Sequence, residues 1–433
     1  MNRIMYHLPS FVLWIVVFYF LSERSIFRYQ HMGAGVDVGL FENLFYNLVH
    51  NAKAITSIGI DGNLHHYFSD HINWYIYPLS MLYGLFPFVE TLLIFQAFVL
   101  SIPILILPIY KFDIFYQWLY PFIYSLFLPI YWIQIFDFHP EVVWIPLFFL
   151  FFYFWKQNSH YWILFFLSCL IAKEECALVF IVFSLVEWKS KKKESLWIGI
   201  LSFVYFFFCL LLLSLLRDSN LHHQVPAHWE RYQHPITALQ NLHLFPYLFL
   251  FLNLPFLFLQ FKNLFILCLI PYFLYSIFSS YEVNKTPFTH HSFIAVPIIL
   301  ISFLEVIDRY SRKSKLLFGG TALLVSTTLF FGFGPFSKSY SYKKEYMNPG
   351  VSVKDVSILR NLVPGKSVVS NVPQYLSNRK DVQLILPNRN DSAEYFVYYQ
   401  FNTQLLPSYI PNGYQWEQNI ENYIQIYKRK KID

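Results

Sequence analysis

The sequence predicts a mainly α-helical, polytopic membrane protein carrying a small α/β domain at its C-terminal end. Three observations predict it. Of 433 residues, 56% are hydrophobic and 21% aromatic, while only 13% are charged, against about 25% in soluble domains. Apolar stretches, most of them long enough to span a bilayer, recur from Phe11 to about Phe336. Beyond Phe336 the composition turns polar, with turn signals at Asn348-Pro349-Gly350, Pro364-Gly365 and Pro411-Asn412-Gly413.

The first apolar run, Phe11–Leu21, follows Met-Asn-Arg and has no small-residue cleavage pattern behind it, so a retained helix is expected. The net charge of +6 lies largely in two clusters, Lys189–Lys193 and Arg309–Lys315. Such clusters orient membrane proteins and do not point to nucleic acid. With both clusters cytoplasmic, about eleven spans follow, near 8–22, 88–110, 114–135, 142–155, 161–173, 175–188, 195–216, 241–260, 263–279, 291–307 and 316–335. The N-terminus then lies inside and the C-terminus outside. Two domains are expected: residues 1–336 as the transmembrane part and residues 337–433 as the soluble one.

Within the first outer segment, 23–87, Val36, Leu40, Leu44 and Leu48 recur every fourth residue, and Asp37, Asn43, Asn47 and His50 lie off that stripe. This predicts an amphipathic helix lying on the outer surface. Residues 72–86 are apolar but broken by Pro78 and Pro87, which predicts a second surface or re-entrant helix. In the soluble part, helical spacing at Val353–Leu362 alternates with strand-like runs at Ser367–Ser370, Val382–Leu386 and Tyr395–Phe401. Four cysteines sit in or beside apolar runs without metal-type spacing, as small buried hydrophobes do. Phosphate-loop, nucleophile-elbow and His-Glu-x-x-His patterns are missing.

A topology drawn from lysines and arginines also sorts the other polar residues. Asp37, Asp70, His71, Asp137, His139, Glu141, Lys173, Glu174, Glu175, His290 and His291 all fall on the outer side. The 217–240 loop joins them with His222, His223, His228, Glu230, Arg231 and His234. Ionisable groups at an apolar core are costly and mark function by default. Each also has an ordinary explanation. Asp37 suits the first turn of a helix, Asp70 suits a cap, Lys173 can pair with its own neighbours, and His290-His291 can be a wet interfacial pair. Asp137-Phe138-His139-Pro140-Glu141 is the densest cluster, and Pro140 breaks the helix so that its side chains can splay into a cavity.

The segments Val36-Asp37-Val38-Gly39-Leu40-Phe41, Ser69-Asp70-His71, Gln96, Asp137–Glu141, Lys173-Glu174-Glu175, Ser367-Val368-Val369 and Leu376-Ser377-Asn378-Arg379 occur together and in order. In this combination the chain resembles, over nearly its whole length, a family of bacterial multi-pass membrane proteins known as a domain of unknown function. That family is grouped with the C-type (GT-C) glycosyltransferases. The resemblance implies a GT-C-like helical bundle in the bacterial cytoplasmic membrane, with the small α/β domain extracytoplasmic. It also implies a polyprenyl-phosphate-linked sugar as donor and a base or metal-holding acid in the first outer loop, which Asp37 matches.

The expected function is therefore transfer of a sugar at the outer face of the membrane, with membrane lipid as partner and no nucleic acid. Asp37, Asp137 and His139 are the candidate catalytic residues. Asp70, His71, Glu141, Lys173, Glu174, Arg231, His290 and His291 are the candidates for binding substrate. A divalent metal ion could assist, with Asp37, Asp137 and Glu141 as candidate ligands. Two other classes compete. A transporter or flippase predicts polar groups near the bilayer midplane and inverted repeats. A non-catalytic assembly protein predicts that the acids tolerate change.

Overall fold

The computed structural model describes residues 3–430 apart from 59–63, 112, 217–231, 233, 288, 338–352, 385–392, 401–412 and 421–422. Helices dominate up to residue 336, and a sheet follows. Four helical stretches are long and apolar enough to cross a membrane: His7–Gln30, Val89–Tyr110, Lys192–Leu215 and Arg312–Phe333. Two bent pairs raise that number to six, Phe115–Ser125 with Leu128–Ile135 at 47° and Glu282–Phe293 with Ala295–Ile307 at 72°.

About eleven spans were expected, several of them short, and the described residues supply four to six helices long and apolar enough to cross. The remaining apolar runs hold shorter helices, such as Trp144–Lys156 with 13 residues, Trp162–Leu170 with 9 and Cys176–Val186 with 11. At about 1.5 Å per residue, 13 residues reach only about 20 Å of a hydrocarbon core about 30 Å thick. The breaks have visible causes. Lys173-Glu174-Glu175 separates two of these helices. Pro255 sits in a 3-10 turn that ends the helix Phe245–Asn253.

The polar ends of the helices sort into two groups. The helix Trp144–Lys156 starts three residues after Glu141 and ends where Lys156 meets Glu305 at 3.1 Å. The helix Ala295–Ile307 likewise starts just after His291 and ends beside Glu305 and Asp308. Asp308 pairs with Lys111 and with Lys315, the latter at 2.9 Å. Trp155 Nε1 donates to Glu187 at 3.2 Å. The basic connections thus gather at one end of the bundle, and Asp137–Glu141 lies at the other.

The long first helix α1 (Arg3–Gln30) leads into α2 (Val36–Asn51), then α3 (Ile76–Leu85) and α4 (Val89–Ser101). α2 is a helix at the expected place, yet its polar face does not meet solvent. Its polar face, Glu42, Asn43 and Asn47, is fully buried. These side chains meet the C-terminal part. Arg360 grips Glu42 through two bonds of 2.9 and 2.7 Å. Asn43 donates to the Arg379 carbonyl at 2.6 Å, and Asn47 to that of Lys380 at 3.1 Å. Gly39 lets the two backbones approach closely, because a Cβ there would lie 2.5 Å from Gln374 Cα. Burying polar groups is tolerable when each finds a partner, and periodicity alone cannot reveal a protein partner in place of water.

Two short strands, β1 (Ile55–Thr56) and β2 (His65–His66), pair antiparallel after α2. The C-terminal sheet comprises β3 (Val368–Ser370), β4 (Val382–Leu384), β5 (Tyr395–Tyr399), β6 (Tyr414–Ile420) and β7 (Ile424–Arg429), in the order β4-β3-β5-β7-β6. β3 is parallel to both β4 and β5, whereas β7 is antiparallel to β5 and β6. The helix Val353–Asn361 precedes it. The first three strands match the expected runs, while the β6–β7 hairpin was not foreseen. One hydrophobic core joins Val38, Leu44 and Phe45 of α2 to Val368, Tyr375 and Val397. The larger core lies among the bundle helices around Trp132, Trp144 and Trp155.

Candidate functional site

The turn Asp137–Glu141 is shaped by Gln96, which is fully buried on α4. Its Nε2 donates to the Asp137 carbonyl at 2.6 Å, and its Oε1 accepts from the His139 N–H at 2.7 Å. Between these bonds Asp137 adopts a positive φ of 81°, uncommon for a residue with a Cβ. The reversal sends the Asp137 side chain one way and His139 the other. Asp137 is buried against Arg28 of α1, with which it forms an ion pair. Burial lifts its carboxyl above the usual range, and the Arg28 guanidinium works against that rise. Gly35 packs beside it, leaving 2.5 Å between a notional Cβ and Asp137 Oδ2.

His139, on the other side, enters a cavity of about 220 Å³. Asp37, from the first turn of α2, faces it there, with its Oδ2 3.6 Å from His139 Nε2. The side chain of Asp37 keeps 40% of its exposure, so it alone of these two meets the cavity opening. The other ring nitrogen, His139 Nδ1, lies 3.6 Å from Glu141 Oε1. Lys173 Nζ and His290 Nε2 each lie 3.7 Å from the same oxygen. Lys173 also sits 3.6 Å from Glu175 Oε2, so the neighbour pairing expected from sequence is real, and a second carboxylate is added. The rings of His139 and His290 stack at 3.5 Å with 11° between planes.

Asp70, His71 and His291 complete the polar wall, and Phe41, Tyr67, Phe136 and Tyr281 supply the aromatic one. Glu174 acts as a clamp. One of its oxygens lies 2.9 Å from His71 Nδ1, and the other accepts the Ile72 N–H at 3.0 Å. The cavity therefore joins Asp37, Asp70, His71, His139, Glu141, Lys173, His290 and His291. Asp137, expected among the catalytic and metal-holding residues, does not line it and serves Arg28 instead. Glu174 lies behind the wall, holding His71. Arg231 lies outside the described residues.

Arg28, Tyr67, Asn73, Tyr281 and Asn284 were not foreseen. Arg28 is visible in the sequence only as a cation near the end of an apolar helix, which reads as an ordinary interfacial residue. Among the described residues, His139, Glu141 and His290 form a ligand-type set whose donor atoms all lie within 4.8 Å of one another. Asp37 and Asp137, the other expected metal candidates, are not part of it.

Electrostatics follow from this crowding. Burial pushes His139 down, yet Glu141 and Asp37 together raise it to about 9. Lys173 and His139 hold Glu141 well below the carboxylate range in spite of burial. Because the folded value of His139 exceeds the ordinary 6.5, its charge contributes stability fully below about pH 6.5. That contribution is lost as pH rises toward 9. Thermal unfolding of chelator-treated protein should show the midpoint falling over this window, and His139→Gln should flatten the fall. An unchanged slope in His139→Gln would show that another group carries it.

Residues 28–391 match the model of a family described as predicted membrane protein (DUF2079). No curated protein and no solved structure matches the chain.

Proposed function

The chain belongs to the predicted membrane protein family DUF2079, and we propose that it is a membrane glycosyltransferase. It takes a sugar from a polyprenyl-phosphate donor and passes it to an acceptor hydroxyl at the outer face of the bacterial cytoplasmic membrane. In this reading the shorter apolar helices complete a GT-C-like bundle of about eleven membrane segments, and the C-terminal sheet lies outside. One observation supports it above the others: a half-exposed carboxylate, Asp37, faces buried Lys173 and His139 across a single cavity at one end of the bundle.

The chemistry needs such an arrangement. The polyprenyl tail stays among apolar helices while its phosphate reaches the polar wall. Asp37 accepts the proton of the attacking hydroxyl. Lys173 and His71 meet the charge that builds on the departing phosphate. The oxygen of the acceptor forms the new bond to the sugar, and the bond from sugar to phosphate breaks. Phe41, Tyr67 and Tyr281 offer flat apolar faces of the kind on which a sugar ring packs.

The test uses purified protein in liposomes with polyprenyl-phosphate hexoses labelled in the sugar and a glycolipid fraction as acceptor. Label should move from donor to acceptor. Donors that all remain intact, with folded protein present, would overturn the reading.

A further inference from the structure

We infer that His139, Glu141 and His290 form a binding site for one divalent transition-metal ion of the zinc class. Two imidazoles and one carboxylate are the donor set of open catalytic zinc sites, which leave a fourth position for water or substrate. In a tetrahedral site with bonds of about 2.0–2.2 Å, neighbouring donor atoms stand about 3.3–3.5 Å apart. Here His139 Nδ1 lies 3.6 Å and His290 Nε2 3.7 Å from Glu141 Oε1, and all three donor atoms fall within 4.8 Å of one another. The two carboxylate–imidazole distances are thus already close to those of a bound site.

The surroundings fit as well. All three side chains are buried and all three line the cavity, so an ion held by them would face that cavity. Asp37 Oδ2 stands 3.6 Å from the ring nitrogen of His139 that would not bind the ion. Carboxylates in that place orient metal-ligating histidines. Lys173 shares Glu141 Oε1 at present, but Glu175 Oε2 lies 3.6 Å from its ammonium and can take it over. The stacked imidazoles bring their nitrogens to one carboxylate oxygen; each ring turns about its Cβ–Cγ bond to aim its lone pair at the ion. The ligands come from two segments far apart in sequence, so the ion would tie the Asp137–Glu141 turn to the start of the helix Ala295–Ile307.

This inference deepens the glycosyltransferase reading, since the ion would meet the donor phosphate, but it is tested without any transfer assay. Chelator-treated protein is given Zn²⁺ or Co²⁺, desalted and analysed for metal content. About one equivalent should remain, with the visible absorption of four-coordinate Co²⁺. His290→Ala and Glu141→Gln should weaken retention by about 10–100-fold or more. His290→Cys should keep the ion and shift the Co²⁺ spectrum. Asp70→Asn, which changes the cavity wall but no ligand, should retain one equivalent. Circular dichroism and thermal unfolding accompany each variant. Wild-type protein that retains no metal overturns the site, as does unchanged retention in both His290→Ala and Glu141→Gln. Transfer that proceeds without bound metal removes only the ion, and bound metal without transfer removes only the enzyme.

Discussion

Asp37→Asn is expected to lower sugar transfer by about 10²–10⁴-fold, the usual contribution of a placed general base. The substitution keeps the shape of the side chain and removes its capacity to take a proton. Asp37 keeps 40% of its exposure and approaches His139 only to 3.6 Å, so folding has little reason to suffer. Above about pH 9, where His139 has lost its charge, thermal unfolding should therefore coincide with that of wild type, and donor binding should change far less than turnover. Undiminished transfer by Asp37→Asn would remove the base assignment. Transfer that survives in Asp37→Asn but not in His139→Gln would move the base to His139.

The second large effect falls on stability. Glu42 is wholly buried in α2 and holds Arg360, Tyr83 and Ser377 at once. Arg360, in turn, donates to Tyr29 at 2.8 Å. Glu42→Ala leaves a largely covered guanidinium without this counter-charge, and loss of one partner of a buried pair costs about 3–5 kcal/mol. Arg360→Met should cost less than Glu42→Ala, because the surviving carboxylate keeps Tyr83 and Ser377 as donors. The double variant Glu42→Leu/Arg360→Met should recover much of the loss, since apolar groups of similar volume replace buried pairs well. Unfolding midpoints in detergent provide the measurement. Equal stability of Glu42→Ala and wild type would show that the pair does not hold α2 to the helix Val353–Asn361.

Sequence and structure agree where the physics is local or one-dimensional. Apolar content announces the membrane. The lysines and arginines sort the polar residues to one end of the bundle, because helices that begin at one end and finish at the other carry their caps with them. That is why Asp37, His71, His139, Lys173 and His290 could be grouped without coordinates. The arrangement within the group was not legible. Whether Asp137 or His139 faces the cavity depends on a single positive φ held by Gln96, and no pattern of residue types encodes which side of a turn a side chain takes.

Other misses share a cause. The buried face of α2 looked solvated because Glu, Asn and Asn are what a wet face carries; only a partner over 300 residues away makes them interior. Arg28 was passed over for the same reason. Where the apolar runs break into shorter helices was not legible, because hydropathy measures greasiness and not unbroken helical length. The β6–β7 hairpin is mostly polar along Tyr414–Ile420, so it lacked the apolar alternation that marks a half-buried strand.

The grip on α2 has a mechanical side. Glu42 follows Asp37 by five residues, about 7.5 Å along a helix axis. Arg360 pins the rod at the first point, and the reactive carboxylate rides near its tip. A tilt of about 10° about that pin carries Asp37 sideways by about 1 Å, a displacement of the size that costs catalysis about a hundredfold. The helix Val353–Asn361, though none of its residues lines the cavity, thereby sets the aim of the acid that faces it.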